Sequence, residues 1–176
     1  NHLKMILLEK GISQDNLIII SDTQSQNESA FKGLNQIESK LNGPIFFHNV
    51  DTFLINRDFN NIKKLILENS GYIDVFRSNS HDYSYVISER GSVLEVAEKV
   101  LISELASSGL YGFKNAQTYL KYYKPGYIID MFSAMIKDGH SIVHGEVYEE
   151  KDTKVLGTPK EYFDNNSRVI AKIRKN

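Results

Sequence analysis

Three places in this 176-residue chain hold residue types at spacings that could do chemistry. The first is Asp51, which follows the apolar run Ile45-Phe46-Phe47 through His48-Asn49-Val50. In open α/β sheets, ligands collect beyond the carboxyl ends of parallel strands. A carboxylate there suits a divalent cation carried by phosphates, which needs few protein ligands. Position alone leaves the alternative that Asp51 caps the following turn. The second place is Glu98-Lys99 at the end of an alternating run. Such a pair can offer a carboxylate to sugar hydroxyls and an ammonium to a phosphate, or can be an ordinary surface pair. The third is Gly157-Thr158-Pro159, where a glycine ahead of a capped helix lets the backbone approach another segment or a ligand closely, or serves the cap alone.

The remaining candidates carry less. Of His2, His48, His81, His140 and His144, the last two are separated by Ser141-Ile142-Val143, which reads as strand. That spacing puts both rings on one strand face, but some distance apart for a shared metal. No serine, histidine and acid stand in a recognisable nucleophile motif, and no glycine-rich phosphate loop is present. The ten tyrosines and nine phenylalanines are scattered rather than interleaved with basic residues, which gives no base-stacking surface.

Composition narrows the class further. Lys plus Arg is 21 and Asp plus Glu is 22, a formal net charge of -1, so the electrostatic drive for nucleic-acid or anionic-membrane binding is missing. With no cysteine, disulfides, thiolate catalysis and Cys-ligated zinc or iron–sulfur sites are excluded, which is compatible with a reducing cytoplasm. The apolar runs are too short to span a bilayer, and the first ten residues, with Glu9 and no small-residue cleavage site, do not read as a signal peptide. At 41% hydrophobic and 24% charged, residues 1–176 are expected to form a single domain around one core. The chain opens on Asn1 rather than Met, and we expect it to be a piece of a longer protein.

The elements that must position these residues follow from periodicity. His2 to Lys10 reads as a helix ended by Gly11, and Leu17-Ile18-Ile19-Ile20 as a strand buried on both faces. Glu28 to Leu41 is helical, Gly43-Pro44 stops it, and Ile45 to Phe47 is a second buried strand. Together these predict a βαβ unit with a parallel strand pair. Ile62 to Leu67 fits one or two helical turns, and Gly71 to Phe76 alternates as a strand. Tyr83 to Ser88 and Val93 to Ala97 form a hairpin through Glu89-Arg90-Gly91. Leu105 to Phe113 is a strand rich in small residues, and Ser141 to Tyr148 another. Helices are expected over Asn115 to Tyr123, over Ile128 to Lys137 before Gly139, and from Thr158-Pro159-Lys160-Glu161 onward. The basic ending Arg168, Lys172, Arg174 and Lys175 complements the dipole of that last helix.

In order along the chain, Gly43 to Asp51, Tyr83-Ser84-Tyr85-Val86, Glu95 to Lys99, Ile102-Ser103, Ala106, Gly109 to Phe113 and Leu156 to Glu161 resemble the sugar-phosphate nucleotidyltransferase family. The likeness is strongest to members found with bacterial capsule and surface-polysaccharide synthesis, and it runs from about Leu3 to the last helix. It implies a nucleotide-diphospho-sugar transferase-like three-layer α/β fold with a mixed, mainly parallel sheet lacking its first strand or strands. It also implies a reaction in which a sugar 1-phosphate attacks the α-phosphate of a nucleoside triphosphate and pyrophosphate leaves.

Carried over by this resemblance, Asp51 matches the family's Mg2+-binding aspartate, Glu98 its sugar-hydroxyl acceptor and Lys99 its sugar-phosphate lysine. Ser25-Gln26 falls near the base-contacting segment, with Ser25 where glycine is usual. Ser84 lies where a backbone contact to the sugar is made, and Gly109 and Tyr111 line the same pocket. The resemblance thus makes Asp51 and Lys99 catalytic, and Gln26, Ser84, Glu98, Gly109 and Tyr111 substrate-binding.

The chain also departs from the family pattern. Its signature glycine-rich loop and following arginine would lie before Asn1, Val155 stands where a second metal-binding aspartate is common, and Lys124-Pro125-Gly126-Tyr127 replaces a Glu-containing segment. We therefore expect no turnover from these residues alone. The implied partners are a nucleoside triphosphate and a sugar 1-phosphate in the cytoplasm, with no nucleic acid and no membrane insertion. An uncovered sheet edge would invite a homo-oligomer. Two other readings stay open: a non-catalytic module of this fold that binds a sugar phosphate or a partner protein, and a related glycosyltransferase.

Overall fold

A computed structural model describes residues 2–163. The expected basic helix end at Arg168, Lys172, Arg174 and Lys175 lies outside the described residues. The centre of the molecule is the antiparallel pair β3 (Gly71–Arg77) and β6 (Leu105–Phe113), in register from Gly71–Phe113 to Arg77–Leu105 with an irregularity between Ile73 and Val75. Nearly every residue of both strands is buried, which requires cover on both faces.

Strand alternation supplies the two faces. Ile73, Val75, Tyr111 and Phe113 point to one side, where α4 (Ala116–Tyr122), α5 (Ile129–Lys137) and Leu34 of α2 (Gln26–Asn35) close the main core. Phe132 stacks on Phe113 at 4.8 Å between ring centroids. Tyr72 and Leu110 point to the other side, against Ile62 and Ile66 of α3 (Phe59–Glu68). Gly112 permits that approach, because a Cβ there would collide with the Ile66 side chain. Helices therefore cover both faces of the sheet, giving the expected three layers.

The caps are those that the residue types predict. Ser25 accepts from the Glu28 amide at 3.2 Å, Asp58 from Asn60 and Asn61 at 3.0 and 3.1 Å, and Asn115 from Thr118 at 2.8 Å.

The free edge of β6 decides where the site lies. One edge is taken by β3 along its length. The other is shared: β1 (Ile45–His48) runs antiparallel to Leu110–Phe113, and β4 (Tyr85–Glu89) meets it at Ala106. β4 continues through a hairpin to β5 (Ser92–Ala97), which touches β7 (Ile142–Val143) at one pair, Ser92–Val143. β7 and β8 (Val147–Tyr148) are parallel to β3. A separate ribbon pairs β2 (Thr52–Leu54) with β9 (Thr153–Val155). One further helix, α1 (His2–Glu9), precedes all of these and ends near Gly11 at φ +88°.

Several expectations need correction. The sheet is mixed, but most of its pairings are antiparallel; β3–β7 and β3–β8 are its parallel pairs. Leu17 to Ile20 is not a strand: it is extended without a ladder partner among the described residues, Ile19 is 65% exposed, and no βαβ unit forms. Leu17, Ile18 and Ile19 instead line a surface cavity together with Leu3 and Leu7 of α1. β1 is half-exposed and antiparallel rather than buried and parallel. The helix expected over 28–41 ends at Asn35, followed by a short 3-10 turn at Glu38–Lys40. Ser141 to Tyr148 breaks into β7 and β8.

Candidate active site

Between its contacts with β1 and β4, the shared edge of β6 opens at Ser107-Ser108-Gly109. On one side the Asn49 amide donates to the Gly109 carbonyl at 3.0 Å, and on the other the Ser107 amide donates to the Ser84 carbonyl at 2.7 Å. The two strands part there over a cavity of about 530 Å³, a size ordinary for small-molecule sites. Asp51, Lys99, Gln26, Ser84, Glu98, Gly109 and Tyr111, the seven residues singled out from the sequence, all line it.

Each is positioned by a local rule. Asp51 sits in the turn joining β1 to β2. The β2–β9 ribbon lays the chain after β9 across it: the Leu156 amide donates to the Asp51 carbonyl at 2.7 Å. A Cβ on Gly157 would come within 2.9 Å of Asp51 Oδ2, so this glycine allows the close approach that its place in the sequence suggests. Asp51 Oδ1 accepts from Thr52 Oγ1 at 3.3 Å, and Thr158 with Glu161 forms a reciprocal capping box beside it.

Glu98 and Lys99 are consecutive, and in a regular strand they would face opposite ways. Lys99 has φ +53°, a left-handed conformation that breaks the alternation and leaves both side chains on the cavity. Ser84 Oγ donates to Glu98 Oε2, orienting the half-buried carboxylate. The Lys99 ammonium lies 5.6 Å from the centroid of the Tyr127 ring. Gly109 has φ +83°, and a Cβ on it would collide with the Asn49 side chain. Asn49 in turn accepts from Gln26 Nε2, tying the start of α2 to the end of β1. Ser25 does not line the cavity; it caps α2 and accepts from the Gly126 amide at 3.3 Å.

Burial, reinforced by the negative charges of Glu161, Glu150 and Asp82, pushes the Tyr83 hydroxyl up to about 12. Burial likewise raises Tyr111 to about 12, with Glu98 adding to the shift. Both stay protonated hydrogen-bond donors at any working pH.

Sequence reasoning missed Asn49, Asp82, Ser107, Ser108, Tyr127 and Glu161 as lining residues. Two signals could have found some of them. Ser107-Ser108-Gly109 is a run of small residues inside an otherwise bulky buried strand, which marks a close approach or a gap. Asn49 shares the post-strand turn with Asp51. His140 and His144 are not brought together: His140 Nδ1 meets Ser70 Oγ at 3.0 Å and His144 Nε2 meets Ser88 Oγ at 2.8 Å.

Among the described lining residues, four carboxylates (Asp51, Asp82, Glu98, Glu161) face one ammonium, Lys99. No group of three or more His, Asp or Glu among the described residues is arranged to hold a metal, and Val155 adds an apolar wall. Mg2+ usually takes one or two protein carboxylates and completes its shell with water and substrate phosphates. Asp51 fits that mode, and a phosphate entering so acidic a cavity needs a cation.

The fold has parallels among solved structures. A nucleoside-diphosphate-sugar pyrophosphorylase from Vibrio cholerae superposes with a TM-score of 0.76 at 25% identity, covering 92% of this chain and 75% of that one. The chain is sugar-nucleotidyltransferase-like. A Bacillus anthracis protein assigned as a glucose-1-phosphate thymidylyltransferase, in complex with a sucrose, shares this fold with a TM-score of 0.66 at 16% identity, over 85% of this chain and 63% of its own. A UDP-glucose pyrophosphorylase complexed with UDP-glucose shares it at 0.66 and 16%, over 86% and 64%. The nucleotidyltransferase-like chain therefore spans less than two thirds of the latter two. No family model matches it, and no curated protein sequence does. No helix among the described residues is long and apolar enough to cross a membrane.

Proposed function

We propose that this nucleotidyltransferase-like domain carries the sugar-phosphate side of a nucleotidyl transfer, in which a sugar 1-phosphate displaces pyrophosphate from a nucleoside triphosphate. The observation that carries this reading is the convergence of Asp51, Glu98 and Lys99 on one cavity in a fold shared with sugar pyrophosphorylases.

The attacking phosphate has a second pKa near 6 and is largely a dianion at neutral pH, so no general base is required. What the reaction needs is alignment of two anions and neutralisation of their charge. Glu98, held by Ser84, accepts hydrogen bonds from sugar hydroxyls. Lys99 meets the sugar phosphate from a backbone conformation that holds it on the cavity. Gln26, linked to Asn49, faces the base, while Gly109 and Tyr111 form the wall against the sugar. Asp51 would hold Mg2+, which when bound supplies positive charge against the phosphates. The resemblance supports a place in bacterial capsule or surface-polysaccharide synthesis, in the cytoplasm where nucleoside triphosphates are found.

Calorimetry with a panel of sugar 1-phosphates, with and without Mg2+, tests this, followed by a product screen with all four nucleoside triphosphates. Binding should depend on Mg2+. Lys99→Ala should weaken it about 10- to 100-fold, the loss of a charged hydrogen bond, and Asp51→Ala should remove the metal dependence. Binding that is indifferent to both substitutions would overturn the assignment, and metal-independent binding would make the domain a non-catalytic module.

A further inference from the structure

A second cavity of about 440 Å³ shares no lining residue with the first. It lies beside the β4–β5 hairpin and holds Ser88 and His144 against an apolar wall of Val86, Ile102, Leu105 and Val147. Ser88 Oγ and His144 Nε2 are 2.8 Å apart, and His144 Nδ1 is 2.8 Å from the Gly145 carbonyl oxygen. A carbonyl only accepts, so Nδ1 carries the hydrogen; in the neutral ring Nε2 then presents its lone pair to the Ser88 hydroxyl. A nucleophile, a base within hydrogen-bond reach, and a third group orienting that base make up an activated hydroxyl.

The surroundings hold the pair in place. His144 is 9% exposed, and its backbone amide donates to the Gly91 carbonyl at 3.0 Å. Gly91 and Arg90 form a two-residue turn with φ +85° and +50°. The strand register shifts between Ile87 and Ser88, where Leu94 is the extra residue on β5, and such irregularities re-aim side chains. Arg77 on the same wall is engaged by Glu104 and Glu149, whereas Arg90 has no ion pair among the described residues.

We infer that Ser88 and His144 form an acyl-accepting pair, whose substrates are small carboxylic esters with an apolar acyl chain. Ser88 Oγ attacks the ester carbonyl carbon while His144 Nε2 takes the hydroxyl proton. The carbon–oxygen bond to the alcohol breaks, and the departing alkoxide takes that proton, leaving an acyl ester on Ser88. Water then attacks this ester with Nε2 as base, releasing the carboxylic acid and restoring Ser88. The acyl chain packs on Val86, Ile102, Leu105 and Val147, and Arg90, which has no ion pair among the described residues, is the cation that the cavity offers the developing oxyanion. This inference is independent of the first cavity.

The test is incubation of the full chain with p-nitrophenyl butyrate, following p-nitrophenolate release, intact mass and the modified peptide. The expected result is a butyryl group on Ser88 that is absent from Ser88→Ala, with acylation slowed about 100-fold or more in His144→Gln, the usual size of a general-base contribution. Release of p-nitrophenolate no faster than from Ser88→Ala overturns the inference, as does an unchanged rate in His144→Gln. Should that variant not fold, the urea-unfolded wild-type chain replaces it. Acylation of Ser88 at the same rate folded and unfolded would show an ordinary hydroxyl, whereas loss on unfolding supports the pair.

Discussion

Replacing Arg57 should be among the most damaging single changes in this molecule, although the residue lies outside both cavities. Arg57 and Asp74 form an ion pair with both side chains fully buried, through Nε at 3.2 Å and Nη2 at 2.9 Å to Asp74 Oδ2. The guanidinium also donates to the Ile55 and Asp152 carbonyls at 3.0 and 2.5 Å and to Thr153 Oγ1 at 2.6 Å, and it lies 3.8 Å from the Tyr148 ring centroid. It thereby joins β3, which carries Asp74, to the β2–β9 ribbon that holds Asp51 and Gly157 at the first cavity.

In Arg57→Met, Asp74 would keep the Tyr72 hydroxyl at 3.1 Å but no counter-charge. An uncompensated buried charge costs about 3–5 kcal/mol, a large share of the roughly 5–15 kcal/mol that holds a typical domain folded. With a urea slope of about 2 kcal/mol/M, the unfolding midpoint should fall by about 2 M. The double variant Arg57→Met with Asp74→Asn removes the orphaned charge and should recover part of that loss, because replacing both partners is far less costly than breaking the pair. Urea denaturation followed by circular dichroism measures both. A midpoint shift under about 0.5 M for the single variant, or a double variant no more stable than the single, would refute the reasoning.

Three other outcomes follow from the geometry. Gly109→Ala forces a Cβ into the Asn49 side chain at φ +83°, so melting should show a loss of at least about 1–2 kcal/mol from the left-handed backbone alone. Adding Asn49→Ala should return only the part due to collision. Lys99→Gly removes the ammonium while keeping φ +53° at no steric cost, so thermal stability should hold or rise slightly while sugar 1-phosphate affinity, measured by calorimetry, falls. A destabilised Lys99→Gly would mean that the side chain is structural. Stability should drop as pH rises above about 10. Burial above all raises Tyr83 and Tyr111 from 10.0 to about 12, so between those values the unfolded chain loses phenol protons that the native state keeps. Each such tyrosine should cost about 1.4 kcal/mol per pH unit in that window, readable from urea midpoints at rising pH.

The elements legible in the sequence were those whose signal is local. The Glu89-Arg90-Gly91 hairpin, the capped start at Thr158, and the helices ended by Gly11 and Gly139 each carry their own turn or cap chemistry, and each stands where it was expected. Leu17 to Ile20 failed for the opposite reason. An unbroken β-branched run says that a segment suits a sheet interior, but strand formation requires a partner with free backbone groups, and none stands beside it among the described residues. The direction of pairing was likewise invisible. A strand–helix–strand spacing suggested a parallel pair, yet β1 joins β6, far along the chain, in antiparallel register. Long-range partners are decided by which face finds cover, not by the spacing of neighbours.

The first cavity divides the same way. Asp51 and Glu98 were recognisable because each stands at the end of a patterned run, and Gly157 because it precedes a capped helix start. Ser107 and Ser108 carried only the weaker signal of a small-residue run, since their part depends on two strands sharing one edge of β6 and parting in front of them. Charge is the clearest case. Over the whole chain, 21 basic residues nearly balance 22 acidic ones, which says that no long-range field steers a polyanion to this protein. Within the cavity the described balance is four carboxylates to one ammonium. Under the proposed function a phosphate entering that cavity would need a cation beside it, and the field that sets this condition is made by Asp51, Asp82, Glu98 and Glu161, which chain topology brings together from four separate segments.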